Sequence, residues 1–348
     1  MAQENQEINS LQILKEAIKN KTLGRLYFFH GQETFLLQHY RSRIQKLLVD
    51  EITESFNFHK LTVENFSLTA FADRVESLPM MAEHTFIWVD EIDIFALSED
   101  DTEKLVEVFS DIPEYCTVVF TYETTQWKPD TRKKLYKVIE ANGLIVEFPK
   151  QEQRDLIAWA GRHFAANQKQ ISSELCAYLI DITGGTMTAL SGEIAKICAY
   201  SGADTITKSD IDAVVEPVLD AVVFQMTDLM GQGNYGAALI KLQELLKMQN
   251  DPLSILGAVG THFRRLSVCR TLRDNGQTAA QLHSIYPKMS DYAARKNMSA
   301  SAKFSPAFFE RAAQLILQTD IQMKTSYADA QRLLELLVLQ LSGEERND

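Results

Sequence analysis

The sequence has little cysteine. Its four cysteines, at positions 116, 176, 198 and 269, lie far apart among 348 residues and form no C-x-x-C pair. Structural zinc sites need clustered ligands, so this spacing argues against a bound zinc ion, and no other metal or cofactor is expected. Free thiols at such distances are typical of proteins from a reducing compartment.

Long apolar runs are also missing. No stretch approaches the roughly 20 apolar residues that a membrane-spanning helix requires. Residues 1–20 are polar and amphipathic, without the apolar centre of a secretory signal. We therefore expect a cytoplasmic protein with no membrane partner.

Positive charge is scarce as well. The chain carries 35 Lys and Arg against 47 Asp and Glu, a formal net charge of −12. A protein that coats nucleic acid needs a basic surface, so this balance argues against that class. Three basic segments, at 131–137, 262–265 and 270–276, are candidates for local contacts, although such segments are more often solvated helix faces.

Strand and helix patterns alternate over residues 1–150. The strand-like runs are mostly apolar throughout, as expected for strands that helices cover on both faces. They lie at 26–30, 56–61, 85–89, 117–122 and 144–148. Helical periodicity occupies 35–49, 68–77, 101–110 and 131–141, the last with Asp130 as its expected N-cap. This alternation predicts βαβ units and a parallel sheet.

The strand signal disappears after residue 149. Helical periodicity then dominates, and the glycines in "ITGGTM" (182–187) indicate the end of a helix. The expected helices are 152–166, 172–182, 187–201, 206–215, 219–231, 234–248, 251–273, 278–284, 289–298, 305–323 and 327–342. The predicted fold class is α/β plus all-α.

A strand followed by glycine and a helix, "YFFHGQETFLLQHY" (27–40), has the layout of a phosphate-binding loop. An intact loop reads G-x-x-x-x-G-K-[ST]. Here Gly31 is the single glycine, no lysine or hydroxyl follows in place, and Glu33 lies where it would repel a phosphate. We interpret Gly31 as the residue that permits a tight strand-to-helix turn.

Catalytic patterns are otherwise weak. Asp90 and Glu91, at the end of "TFIWVDE", imitate the acidic end of an ATPase strand, but without a phosphate loop we interpret them as solvated carboxylates. The seven histidines form no H-x-x-x-H pair, and no G-x-S-x-G elbow occurs. No catalytic residue is predicted.

The ordered set of motifs resembles one family, the delta subunit of the bacterial DNA polymerase III clamp loader, a degenerate AAA+ protein. The segments that carry the resemblance are "GQETFL" (31–36), "SLPMMAEHTFIWV" (77–89), "TRKKLYKVIEANGLIVEF" (131–148), 220–266 and "TDIQMKTSYADAQRLLELLVLQL" (319–341). The resemblance implies a degenerate AAA+ (RecA-like) domain over 1–149, a helical lid domain over 150–216, and a helical C-terminal collar over 217–348.

In that family, two neighbouring apolar side chains form a wedge that enters a pocket of the ring-shaped beta sliding clamp. The resemblance assigns this wedge to Met80 and Met81, with Leu78 and Pro79 shaping the approach. The family's usual Leu-Phe pair is Met-Met here, and the basic residue that often follows is His84 or absent. The residues alone favour the alternative that both methionines pack into the domain's own core.

The resemblance further implies a five-membered ring with gamma/tau ATPase subunits and delta-prime, around primer-template DNA. The other subunits usually carry a four-cysteine zinc module, which this sequence lacks. The implied function is clamp opening without ATP hydrolysis of its own, within an assembly that has DNA-directed DNA polymerase activity. Tyr327 is a candidate for stacking on the nucleic acid, or for packing on the collar.

Three other functions stay open. An active AAA+ ATPase requires nucleotide binding, and a general nucleic-acid adaptor requires salt-sensitive DNA affinity of the isolated chain. A stator subunit like delta-prime would lack strong affinity for the clamp.

Overall fold

The computed structural model describes residues 2–287, 289 and 291–344, with side chains from residue 10 to 343 except at 288 and 290. The chain divides into two compact units, Met1–Gln151 and Glu152–Asp348. The first unit is α/β and the second is helical, which confirms the predicted fold class. The finer predicted boundaries, at 149/150 and 216/217, stay predictions.

Five parallel strands form the sheet of the first unit, in the order β2-β3-β4-β1-β5. All five predicted strands are confirmed, with small shifts at their ends. The strands are β1 Leu26–Gly31, β2 Phe58–Leu61, β3 Thr85–Asp90, β4 Cys116–Tyr122 and β5 Leu144–Phe148.

Both faces of this sheet are buried, which explains why its strands read as apolar without alternation. Phe28 and Phe120 pack on one face with side chains of α4, α5 and α6, and their rings stack with centroids 4.8 Å apart. Phe29 and Val119 point to the other face and pack with α1 and α2. The helices are α1 Ala2–Asn20, α2 Thr34–Leu48, α3 Glu54–Asn57, α4 Leu68–Glu76, α5 Glu99–Ser110 and α6 Lys134–Asn142.

The predicted start of α6 is wrong. The helix begins at Lys134 with Lys133 as its N-cap, not after Asp130. Asp130 instead accepts hydrogen bonds from the backbone and the guanidinium of Arg132, at 3.1 and 2.9 Å. Asp130 therefore binds Arg132, two residues away, instead of capping the helix.

The second unit contains α7 to α17, and each predicted helix is present. They are α7 Gln153–Ala166, α8 Ser173–Thr183, α9 Met187–Tyr200, α10 Lys208–Val214, α11 Leu219–Met230, α12 Tyr235–Lys247, α13 Pro252–Asp274, α14 Ala279–Ile285, α15 Asp291–Ser301, α16 Pro306–Thr325 and α17 Ala330–Leu341. Gly184 ends α8 with a φ of 79°, as the glycine pair predicted. The predicted 289–298 helix includes Ser290, which lies outside the described residues.

The hydrophobic core of the second unit contains a cluster of phenylalanine rings, which includes Phe263, Phe304 and Phe308. An ion pair of 2.8 Å between Lys296 of α15 and Asp181 of α8 joins the two predicted helical domains of this unit. No helix in the described part of the chain is long and apolar enough to cross a membrane.

Candidate functional site

The loop between α4 and β3 exposes apolar side chains. Leu78, Met80 and Met81 are 74%, 56% and 91% exposed, and Pro79 is half-buried. The alternative that both methionines pack into the domain's own core is therefore wrong. Exposed apolar side chains that gather in one loop are typical of contact sites for another molecule.

A buried asparagine holds this loop in place. The Asn57 side-chain amide donates to the Met80 carbonyl at 2.9 Å, and the Met80 N–H donates to the Asn57 side-chain oxygen at 2.8 Å. The same amide also donates to the Thr53 carbonyl at 3.2 Å, and Asn57 is fully buried. The backbone of Met80 is thereby fixed while its side chain stays exposed.

Met81 adopts a left-handed backbone conformation, with a φ of 55°. A non-glycine residue rarely does so, because its Cβ crowds the following carbonyl. Such strain persists where surrounding contacts enforce it, and here the hydrogen bonds to the neighbouring Met80 supply that constraint. The two hydrogen bonds at Met80 and the left-handed conformation at Met81 thus define the backbone path of this loop.

The strand-to-helix turn at Gly31, predicted to be a degenerate phosphate loop, is closed by its own chain. Gly31 has a φ of 128°, and a Cβ at this position would lie 2.3 Å from the carbonyl oxygen of Phe148. The Glu33 N–H donates to that same carbonyl at 2.9 Å. Glu33 is buried at the N-terminus of α2, where a nucleotide-binding loop would receive phosphate. Burial raises the pKa of Glu33, and the Phe35 backbone and the Lys150 charge oppose that rise.

Asp90 and Glu91 are not the solvated carboxylates expected from the sequence. Asp90 forms an ion pair with Lys60 at 3.0 Å and accepts from the Thr121 hydroxyl at 2.9 Å. The Trp88 indole donates to that same hydroxyl at 2.7 Å. Both oxygens of Asp90 are thus occupied within the protein.

Glu91 holds the segment that follows β4. Its carboxylate accepts from the backbone N–H groups of residues 123, 124 and 125, the last at 2.7 Å, and from the Thr124 hydroxyl at 2.8 Å. Burial by itself raises the pKa of Glu91, but these hydrogen bonds outweigh it, and the net pKa is lowered. The carboxylate therefore acts as a structural acceptor.

We expect Glu91→Ala to lower the free energy of unfolding by about 2 kcal/mol at neutral pH, because hydrogen bonds to a charged group are lost. A lowered pKa in the folded state stabilises the protein above the unfolded pKa of about 4.3, and this contribution is lost as the pH falls through the folded pKa. Urea unfolding over a pH series should therefore show that the difference in the free energy of unfolding between wild type and Glu91→Ala becomes smaller at acid pH. Glu103→Ala, on the exposed side of α5, is the control, and a pH-independent difference would contradict the assignment.

Two family models match the chain, one on each unit. The model described as "DNA polymerase III, delta subunit" matches residues 27–149, and "DNA polymerase III delta subunit, C-terminal domain" matches residues 220–341. Together they cover more than half of the sequence. The chain belongs to the DNA polymerase III delta subunit family.

Members of this family from two bacteria are similar over most of the chain. "DNA polymerase III subunit delta" of Bacillus subtilis is 26% identical over 340 residues, which cover 96% of this chain and 97% of that protein. "Probable DNA polymerase III subunit delta" of Aquifex aeolicus is 20% identical over 263 residues, 73% of each chain.

A solved structure shares the fold. The Bacillus subtilis DNA clamp loader delta protein superposes with a TM-score of 0.60 and 23% identity, covering 94% of this chain and 98% of that one. The parallel five-stranded sheet with its covering helices is the α/β fold that the sequence predicted. A delta subunit is part of a polymerase assembly, so the chain works with other subunits.

Tyr327 lies in the loop between α16 and α17 and is fully exposed. The alternative that it packs on the collar is therefore wrong. Its exposed side chain is available for the predicted contact with nucleic acid.

The three predicted basic segments differ in their surroundings. His262 is buried, Arg270 binds Asp274 and the Phe304 carbonyl, and Arg132 forms an ion pair with Asp130.

Sequence reasoning missed Asn57. It lies 23 residues before Met80, in a four-residue helix that carries no periodic signal. A lone asparagine next to a strand gives no hint of a partner so far along the chain. Within the described residues, no group of three or more His, Cys, Asp or Glu side chains is arranged to hold a metal ion.

Proposed function

We propose that this delta-family chain binds one edge of the beta sliding clamp and stabilises its open state, so that the ring can be loaded onto primed DNA. The observation that carries the proposal is the exposure of Met80 and Met81 on a loop whose backbone Asn57 fixes. Methionine is flexible and fits irregular apolar pockets. Burial of each side chain by a partner contributes roughly 1.5–3 kcal/mol.

The energetic role would be differential binding. A protein that binds the open ring better than the closed one shifts the equilibrium towards the open ring by that difference in affinity. A loop whose backbone is already fixed by hydrogen bonds loses less conformational entropy on binding. The fixed backbone at Met80 supports this role.

We propose further that the chain does not hydrolyse ATP. Glu33 places a carboxyl at the N-terminus of α2, the Asp90 and Glu91 carboxylates are engaged within the protein, and no lysine follows Gly31 in place. These features disfavour the alternative of an active AAA+ ATPase. ATP hydrolysis by neighbouring gamma/tau subunits would then control when the wedge reaches the clamp.

Assembly with gamma/tau and delta-prime would use the C-terminal helices, in the cytoplasm. A groove of about 640 Å³ between α13 and α16 is lined by apolar side chains, including Leu253, Phe309 and Leu317. Leu317 and Ile321, one turn apart on α16, are 60% and 51% exposed. This apolar face supports a role for α16 in contact with a neighbouring subunit.

Binding of the purified chain to its cognate clamp, without nucleotide, tests the proposed function. Binding in the micromolar range or tighter supports clamp opening. No binding at clamp concentrations up to tens of micromolar favours the alternative of a stator like delta-prime. Salt-sensitive affinity of the isolated chain for DNA would instead favour the nucleic-acid adaptor, which the net charge of −12 disfavours.

Tyr327 is proposed to stack on the primer-template within the assembly. Stacking of an aromatic side chain on a base contributes about 1–3 kcal/mol, so we expect Tyr327→Ala to weaken primed-DNA binding by the complete loader about 5- to 150-fold. Clamp binding by the isolated chain should stay unchanged. Tyr200→Ala, at an exposed tyrosine of α9, is the control. Equal DNA affinity of wild type and Tyr327→Ala would contradict the stacking role.

A further inference from the structure

Exposed apolar side chains of the first unit concentrate in two short segments. Eight large apolar side chains are exposed in its described part, and five of them lie within residues 52–56 and 78–81. The five are Ile52, Phe56, Leu78, Met80 and Met81. Ile52 is 89% exposed and Phe56 is 53% exposed, and the wedge assignment accounts for neither.

The two segments lie side by side at one edge of the sheet. Residues 52–56 precede β2 and residues 78–81 precede β3, and these strands pair in parallel with Phe58 opposite Phe86. Amino ends of parallel neighbours meet at the same edge. Asn57, which follows Phe56 directly, joins the segments through its two hydrogen bonds with the Met80 peptide.

Segment 52–56 has a defined arrangement of its own. The Asp50 carboxylate accepts from the N–H groups of Ile52 and Thr53 at 3.0 and 2.9 Å, and from the Thr53 hydroxyl at 3.1 Å. Glu54 accepts from the Gln45 side chain at 2.7 Å. These contacts stabilise a turn that leaves Ile52 and Phe56 in solvent.

Along the chain, the residues within and directly beside the two segments carry charges of one sign. Residues 50–57 and 76–84 contain five acidic residues and neither Lys nor Arg. The acidic residues are Asp50, Glu51, Glu54, Glu76 and Glu83. An apolar surface with an acidic border complements an apolar pocket with a basic border.

We propose that residues 52–56 and 78–81 form one two-segment contact surface for the sliding clamp, and that its acidic border selects a clamp pocket bordered by basic side chains. This inference rests on the proposed function. Ile52 and Phe56 supply apolar area beside the wedge, and Asn57 holds the two segments in register. The acidic border accelerates association with the cognate clamp.

Clamp binding by four proteins tests the apolar part: wild type, Ile52→Ser/Phe56→Ser, Met80→Ala/Met81→Ala, and Val63→Ser. Val63 is 72% exposed and follows β2, at the opposite edge of the sheet, which makes it a matched control. We expect Ile52→Ser/Phe56→Ser to bind at least about tenfold more weakly and Val63→Ser to bind like wild type.

The outcomes distinguish the two-segment surface from the proposed binding to the clamp. Wild-type affinity in Ile52→Ser/Phe56→Ser, together with loss in Met80→Ala/Met81→Ala, overturns the two-segment surface and leaves the proposed function standing. Absence of clamp binding by the wild type overturns both. An equal loss in Val63→Ser also overturns the two-segment surface, because it shows no dependence on position.

Association rates test the charged border. We expect Glu51→Gln/Glu83→Gln to associate with the clamp at least about threefold more slowly at low ionic strength and at the wild-type rate at high ionic strength, because screening removes the steering. Glu103→Gln/Glu107→Gln on α5 removes the same charge elsewhere and should associate as wild type does. Equal rates for both double variants at low ionic strength would overturn the role of the border.

Discussion

Met80→Ala/Met81→Ala is expected to reduce nucleotide-free binding to the sliding clamp by at least about a hundredfold. Each methionine contributes roughly 1.5–3 kcal/mol when a partner buries it, and each 1.4 kcal/mol is a tenfold change in affinity. Both side chains are exposed in the free chain, so their truncation removes little from its own core. Surface plasmon resonance with immobilised clamp measures the change in affinity directly. Calorimetry in which clamp is titrated into the chain measures it independently.

Val63→Ala is the control for this experiment, because it truncates an exposed apolar side chain of the same unit outside the wedge loop. Its clamp affinity and the melting temperatures of all variants should match wild type. Tight binding by both wild type and the double variant would show that the clamp contacts another surface. The wedge assignment to Met80 and Met81 would then be wrong.

Gly31→Ala is expected to lower the free energy of unfolding by about 3–5 kcal/mol, a large effect for one methyl group. The added Cβ would lie 2.3 Å from the Phe148 carbonyl oxygen, which is backbone of β5 and cannot swing aside. The φ of 128° is also unfavourable for any residue with a Cβ. Urea unfolding followed by circular dichroism measures the loss.

Gly161→Ala in α7 makes the same chemical change where nothing lies within 4 Å of the new Cβ. Alanine has a higher helix propensity than glycine, so this control should gain up to about 1 kcal/mol. Stability of Gly31→Ala equal to wild type would contradict a structural requirement for glycine. Nucleotide binding by the wild type, measured in parallel, would restore the phosphate-loop interpretation.

Much of the fold was predictable because local signals decide it. Strands covered on both faces read as unbroken apolar runs, and β4 is buried at every residue. The glycine after α8 marked that helix end correctly, because a left-handed residue is needed there. The start of α6 was mispredicted because Asp130 had two possible partners, a helix N-terminus and Arg132, and the sequence does not rank them.

The sequence by itself determined that the turn at Gly31 lacks an intact phosphate-binding motif, that the strands alternate with helices, and that "LPMM" follows a helix and precedes a buried strand. Only the tertiary structure decided that Met80 and Met81 face solvent, that Asn57 fixes their loop, and that Glu91 holds residues 123–125. The physical reason is distance along the chain. Hydrogen bonds that join residues 23 and 34 positions apart follow no helical or strand period, so folding alone brings the partners together.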